Sequence, residues 1–375
     1  MYLAAEQIFT GDAVLSPGWV EVTDQTLTGI GSGEPPAAPS QRSSWLAPGL
    51  VDVHCHGGGG ASFDQPDDEA TATALRTHRE RGTTTTIASL VTASTANLVR
   101  QVSHLAGWVE RGELAGIHLE GPWLAPERKG AHEESLLTAP TESVIAEVLA
   151  AGRGTVKMAT LAPELPGAEA ATRLLTEAGV MVAVGHTAAD YATAKAALSW
   201  GARGATHLFN AMPLLNHRDP GPILALLRNP AVWLELIADG VHVDPELVAW
   251  TLQTYPSRVV LITDAMAAAG FGDGGYLLGN LTVDVCDGVA RLTSTGAIAG
   301  STLILADAVA KCFSWGVEPA QVLAASTVQP AQYLGLDAGR LQVGQTADLV
   351  LLDDRLRVQR TLRQGTWVGG NDSAQ

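Results

Sequence analysis

The spacing of apolar and polar positions along the 375-residue chain changes rhythm twice. Up to about Trp45 short alternating segments are broken by Gly and Pro, as in GWVEVTDQTLTGIGSGEPPAAPS, which predicts short strands. From Leu46 short apolar runs alternate with Ala/Leu-rich helical patterns. Eight such runs stand out: LVDVHCH (50–56), TTTTIASL (83–90), LAGIHLE (114–120), VKMATLAPE (156–164), VMVAVGH (180–186), GATHLF (204–209), WLELIAD (233–239) and RVVLITD (258–264). Helical stretches such as DDEATATALRTHRERG, TESVIAEVLAAG and DPELVAWTLQTYP lie between them. Eight βα repeats predict an α/β fold, a TIM-type (β/α)8 barrel over residues 47–337. An open doubly wound sheet is disfavoured because its dinucleotide fingerprint is missing. A long Gly-rich excursion follows the eighth run, then two helices, STLILADAVAKCFSWG and EPAQVLAASTVQPAQYLG. From about Gly339 strands return. Strand-like segments at both ends predict a small β-sandwich domain built from residues 1–46 plus 338–375.

In a barrel, chemistry sits at the C-terminal ends of the strands. The last residues of the runs are His54 and His56 (first), Glu120 (third), His186 (fifth), His207 (sixth) and Asp264 (eighth). Residues two apart on a strand share a face, so both imidazoles of His54-Cys55-His56 can look into the mouth while Cys55 packs in the core. Alone, such a pair reads equally as two hydrogen-bonded structural histidines. With the other four residues at the same end of the same kind of element, it points to a divalent metal. Four imidazoles and two carboxylates suit zinc or iron better than an all-oxygen magnesium site. Asp264 is then placed as general base and acid, its plainer alternative being a helix N-cap. Lys157 begins the fourth run, far from the mouth, so it does not suit a carboxylated bridging lysine. Gly57 to Gly60 lack the Lys-Ser/Thr of a phosphate loop and are expected to form a permissive turn with φ > 0.

Composition narrows the partners. A formal charge of −16 argues against nucleic acid or an anionic membrane, though not against a small anion held by local cations. Three widely spaced cysteines imply no disulfide framework. The first residues lack a basic leader, and no run approaches the ~18 apolar residues of a membrane span. The expectation is a soluble, cytoplasmic protein.

The strings PGLVDVHCH, GIHLEGPWLAPERKGAH, LAPE, VAVGHT, ATHLFNAM, ADGVH, LITDAM and GSTL, in this order, resemble the N-acetylglucosamine-6-phosphate deacetylases of the amidohydrolase superfamily. The resemblance implies hydrolysis of the acetamide of N-acetylglucosamine 6-phosphate to glucosamine 6-phosphate and acetate. It implies one or two divalent ions per subunit, zinc first, with iron, cobalt, cadmium or manganese as alternatives. Glu120, His186 and His207 would hold the main ion, and His54 and His56 would frame a second position. Asp264 would move the proton, and His242 would polarise the acetyl carbonyl or contact the sugar. His132 and the backbone of Asn210 and Ala211 would bind sugar and phosphate. The family is usually homodimeric, and Arg218, with His217 beside it, matches the arginine that reaches the neighbouring subunit's phosphate. Rival readings are another amidohydrolase activity, such as a dihydroorotase-like or N-acyl-amino-acid deacylase, and an inactive barrel acting as a scaffold.

Overall fold

A computed structural model describes residues 1–369. Eight parallel strands form the central sheet: Leu50–Cys55, Thr83–Leu90, Gly116–Glu120, Val156–Leu161, Met181–Val184, Gly204–Ala205, Trp233–Ile237 and Val259–Ile262. They pair in chain order, so each expected run supplies one strand of the barrel. The helices between them cover the outside. The first, Asp68–Arg79, shows why such segments form. The Asp67 side chain accepts from the Ala70 amide, Asp68 and Glu69 occupy the first turn, and Arg76, His78 and Arg79 the last. Thr71, Ala74, Leu75 and His78 make its buried stripe.

The sheet closes between its first and eighth strands through a seam of a few residues. The Asp264 amide donates to the His54 carbonyl at 2.8 Å, and Cys55 and Ala265 form a parallel bridge. The fully buried Asp52 carboxylate ties the two strands from within. It accepts from the His54 amide (3.3 Å), the Thr263 amide (3.3 Å) and the Thr263 hydroxyl (2.6 Å). Burial raises the Asp52 pKa to about 6 despite these donors, so the carboxylate carries an unpaid desolvation cost that the three bonds reduce. Between Asp52 and Cys55 the first strand advances three residues against two on its neighbour, a bulge beside the site.

Both chain ends enter one eight-stranded sheet, containing Tyr2–Phe9, Gly18–Thr23, Thr26–Ser32, Gln41–Pro48, Leu349–Leu352 and Val358–Arg363. It curls until Thr26 bridges Thr346, enclosing a core of its own with Leu3, Ile8, Val20, Leu27, Leu349 and Leu362. Alternation along single strands serves two cores: Leu46, Leu349 and Leu351 face this one, while Trp45, Ala47, Val350 and Leu352 face the barrel.

Two local readings change. The Gly-rich excursion contains a three-stranded meander, Gly274–Leu278, Leu281–Cys286 and Val289–Leu292. Its second turn is Asp287-Gly288, with φ of 51° and 73°, the left-handed pair that an Asp-Gly hairpin turn requires. The last helical stretch is two helices, Pro319–Ser326 and Val328–Leu334, broken at Thr327 and followed closely by Pro330, which has no amide to continue the ladder.

Replacing Asp52 with Ala strands two buried amides. D52A is expected to lower unfolding free energy by about 3 kcal/mol, and D52N, which keeps an acceptor, by about 1 kcal/mol. Urea unfolding of the two variants checks this; equal losses would remove the carboxylate from the seam.

Candidate metal centre

Six polar groups meet where the strands end. Glu120 is the last residue of the third strand, His56 follows the first directly, and His186, His207 and Asp264 each lie two residues beyond theirs. His186, His207 and Asp264 have φ of 48°, 30° and 50°. The left-handed region is unfavourable for such residues, and the surrounding backbone must hold them there. The Ser301 amide donates to the Asp264 carbonyl at 2.7 Å, and the Met266 amide donates to the Ser301 carbonyl at 2.9 Å. The GSTL segment thus fixes the Asp264 turn. The glycine run turns back as a short hairpin, with Gly59 and Gly60 at φ of 65° and 85°. A Cβ on Gly57 would sit 2.3 Å from the Ala61 carbonyl oxygen, so no larger residue fits there.

The donors form two groups that share Glu120. Its Oε1 lies 3.3 Å from His186 Nε2 and 3.1 Å from His207 Nε2, and those two nitrogens are 3.0 Å apart. Its Oε2 lies 3.0 Å from His56 Nε2. His54 Nε2 is 3.2 Å from His56 Nε2, and Asp264 Oδ1 is 3.5 and 3.2 Å from the two rings. All six side chains are buried.

The far sides of the rings decide what these contacts mean. His56 Nδ1 faces the Ser89 carbonyl at 3.1 Å and His186 Nδ1 the Arg128 carbonyl at 2.8 Å. A carbonyl only accepts, so each Nδ1 carries a hydrogen, and a ring that loses its other proton turns an Nε2 lone pair inward. His54 Nδ1 faces the Glu235 carboxylate at 3.1 Å with the same result. Lone pairs therefore face lone pairs and carboxylate oxygens, an arrangement that requires a cation between them. Burial pushes the His54 and His56 pKa values down, but Glu120 and Asp264 overcompensate, lifting His54 well above its usual value and His56 to about 9. The donor set fits a divalent metal, which would displace those protons.

Neighbouring histidines are set up differently. His132 Nδ1 accepts from the Thr92 amide at 3.3 Å, so its N–H is on Nε2, 3.6 Å from Glu120 Oε2. Burial holds its pKa near 4, leaving a neutral donor in the cavity wall rather than a ligand. His242 gives Nδ1 to Asp239 Oδ2 at 2.6 Å; burial opposes its charge, but Asp239 more than offsets this and raises its pKa. Asp264 is also opposed by burial, yet His54 and His56 hold it ionised with a pKa of about 2.

His56, Glu120, His132, His186, His207, His242 and Asp264 line a cavity of about 320 Å3 together with Arg128, Asn210, Ala211 and Leu278 from the meander. His217 and Arg218 do not line it. They lie on an exposed segment with Leu214 and Leu215, which are 79% and 52% exposed. Trp123 is fully buried in the barrel core, and Lys129 pairs with Glu134 at 3.1 Å. Cys55 points away from the donors, its Sγ 3.3 Å from His78 Nε2.

Sequence reasoning missed the supports. Glu235, on the seventh strand, also accepts from the Tyr333 hydroxyl at 3.1 Å, and both residues are fully buried. His118 links the Ser89 hydroxyl (2.9 Å) to Thr160 (2.9 Å) beneath His54. A lone carboxylate inside the apolar run WLELI was the available signal for Glu235.

Second contacts of this kind tune metal affinity by about 10- to 100-fold. E235A is expected to weaken the hold on any ion placed between His54 and His56 by that factor and to spare one held by Glu120, His186 and His207, with Y333F intermediate. Metal content after graded chelation reads this; simultaneous loss of all metal would overturn it.

The sequence profile of the amidohydrolase family matches residues 45–373. The chain is 36% identical to N-acetylgalactosamine-6-phosphate deacetylase of Escherichia coli O157:H7, covering 97% of this chain and 98% of the relative. It is 36% identical to N-acetylglucosamine-6-phosphate deacetylase of Vibrio furnissii, covering 87% and 82%. Among solved structures it resembles a mutant N-acetyl-D-glucosamine-6-phosphate deacetylase from Mycobacterium smegmatis in complex with N-acetyl-D-glucosamine-6-phosphate, at 45% identity, a TM-score of 0.96 and coverage of 98% and 99%. With a barrel, a buried imidazole–carboxylate centre and matches of this extent, the chain belongs to the amidohydrolase family, in its group of amino-sugar 6-phosphate deacetylases.

Proposed function

We propose that the chain hydrolyses the acetamide of N-acetylglucosamine 6-phosphate to glucosamine 6-phosphate and acetate, in amino-sugar catabolism and cell-wall recycling. The observation that carries this reading is the convergence of Glu120, four imidazoles and ionised Asp264 on one centre at the floor of a cavity, in a chain similar over nearly its whole length to deacetylases of such sugars. Residues 47–337 carry the chemistry, with 1–46 plus 338–375 as the supporting domain.

Glu120, His186 and His207 would hold one divalent ion, and His54 and His56 would frame a second position, zinc being the first choice. Such an ion polarises the amide carbonyl and makes the attacking water more acidic. Asp264, ionised at neutral pH, takes the proton as the water oxygen bonds to the acetyl carbon. It then gives that proton to the nitrogen as the C–N bond breaks, releasing the amine and acetate. His242, oriented through Asp239, donates toward the acetyl oxygen or the sugar. Neutral His132 offers Nε2–H, and the Asn210–Ala211 backbone binds the sugar phosphate.

The phosphate needs a cation, and among the described residues Arg128 is the one arginine or lysine lining the cavity of one chain. The exposed Leu214–Arg218 segment supports a homodimer in which Arg218, with His217, enters the neighbouring site. A cytoplasmic setting agrees with three free cysteines, and no helix among the described residues is long and apolar enough to cross a membrane. The E. coli relative favours a second substrate, the 4-epimer N-acetylgalactosamine 6-phosphate. Comparing kcat/KM for the two epimers separates these readings.

D264N is expected to keep its metal and lose about a thousandfold in kcat, within the range of general acid–base groups. Unchanged turnover would remove Asp264 from the mechanism. Removing the 6-phosphate from the substrate should lower kcat/KM sharply, and equal values would sink the assignment. R218A should raise KM for the phosphorylated substrate, and mixing R218A with D264N chains should give more activity than the two chains assayed apart if the site is shared.

A further inference from the structure

Away from the metal centre, the helix Asp68–Arg79 meets the end of the terminal sheet across a cleft of about 350 Å3. Arg76 and Arg79 line it from the barrel side, and Gln25, Arg363, Gln364 and Thr366 from the sheet side, with the Trp367 indole as a flat wall. The lining therefore holds three guanidiniums, two carboxamides and a hydroxyl and, among the described residues, no carboxylate. In a chain with 39 acidic and 23 basic residues, this is a local inversion of charge.

Structural pairing accounts for only part of it. Glu113 lies behind the cleft, its Oε2 2.7 Å from Arg79 Nη2 and 3.2 Å from Arg363 Nη2. One carboxylate thus pairs with two arginines, and Asp348 also feels both guanidiniums. The Arg79 pKa is lowered, by burial first and by Arg363 second. Arg76 is exposed and has no ion pair among the described residues, reaching only the Thr73 hydroxyl at 3.2 Å.

We propose that this cleft is an accessory site for the phosphate group of a small metabolite. Guanidinium forks match phosphate oxygens two at a time, and the carboxamides and hydroxyl can complete the shell. A ligand here would touch both domains. It would also grip the helix turn that carries His78, whose Nε2 lies 2.9 Å from the Gly57 carbonyl and 3.3 Å from Cys55 Sγ, directly behind the His54–His56 strand end. The site is independent of the reaction assigned above.

Calorimetric titration of the metal-loaded full chain with inorganic phosphate and with glucosamine 6-phosphate tests this. The wild type is expected to show two binding events per chain, and R76E one. R363Q should weaken the same event at least tenfold, while R218A should keep it. R76E breaks only a surface contact, so an unchanged melting temperature and unchanged turnover accompany the loss. In R218A, tenfold tighter binding of the sugar phosphate than of inorganic phosphate supports a metabolite. Preference for inorganic phosphate, or binding in R76E identical to wild type, overturns the proposal.

Discussion

The seam between the first and eighth barrel strands is the constraint on which the site depends. It joins the strand that carries His54 and His56 to the turn that carries Asp264, through the Asp264 amide, the Cys55–Ala265 bridge and the Asp52 carboxylate. The seven other strand pairings could align correctly and the centre would still fail if this seam slipped by one residue, because a one-residue shift sends the side chains to the opposite face. The seam is held by buried hydrogen bonds rather than by apolar contact alone, which makes its register specific.

The second layer of control is the direction in which each imidazole carries its hydrogen. Backbone carbonyls of Ser89 and Arg128 and the Glu235 carboxylate take the Nδ1 hydrogens of His56, His186 and His54. The inward nitrogens are thereby committed to accepting. His132, a few ångströms away, receives a backbone donor instead and turns its own hydrogen inward. Identical side chains thus turn an acceptor or a donor inward according to the groups behind them.

Much of this was legible in the chain. Eight apolar runs separated by helical patterns specify a closed parallel barrel, since each strand must be covered on its outer face by the helix that follows it. His54, His56, Glu120, His186, His207 and Asp264 could be found because barrel function concentrates at strand ends, whatever the chain separation. The meander was hidden by its glycines, although Asp287-Gly288 between alternating apolar residues carried the signal of a hairpin.

What the sequence determined by itself was the order of elements, the end of the barrel that bears chemistry and the residue types gathered there, because periodicity and strand polarity are local properties. Tertiary structure alone decided which oxygen of Glu120 faces which pair of rings, that Glu235 and Tyr333 stand behind His54, and that Asp52 closes the barrel. These contacts join residues as far apart as 211 positions. Pairings at that distance are fixed by the register and curvature of the closed sheet, and no local pattern encodes them.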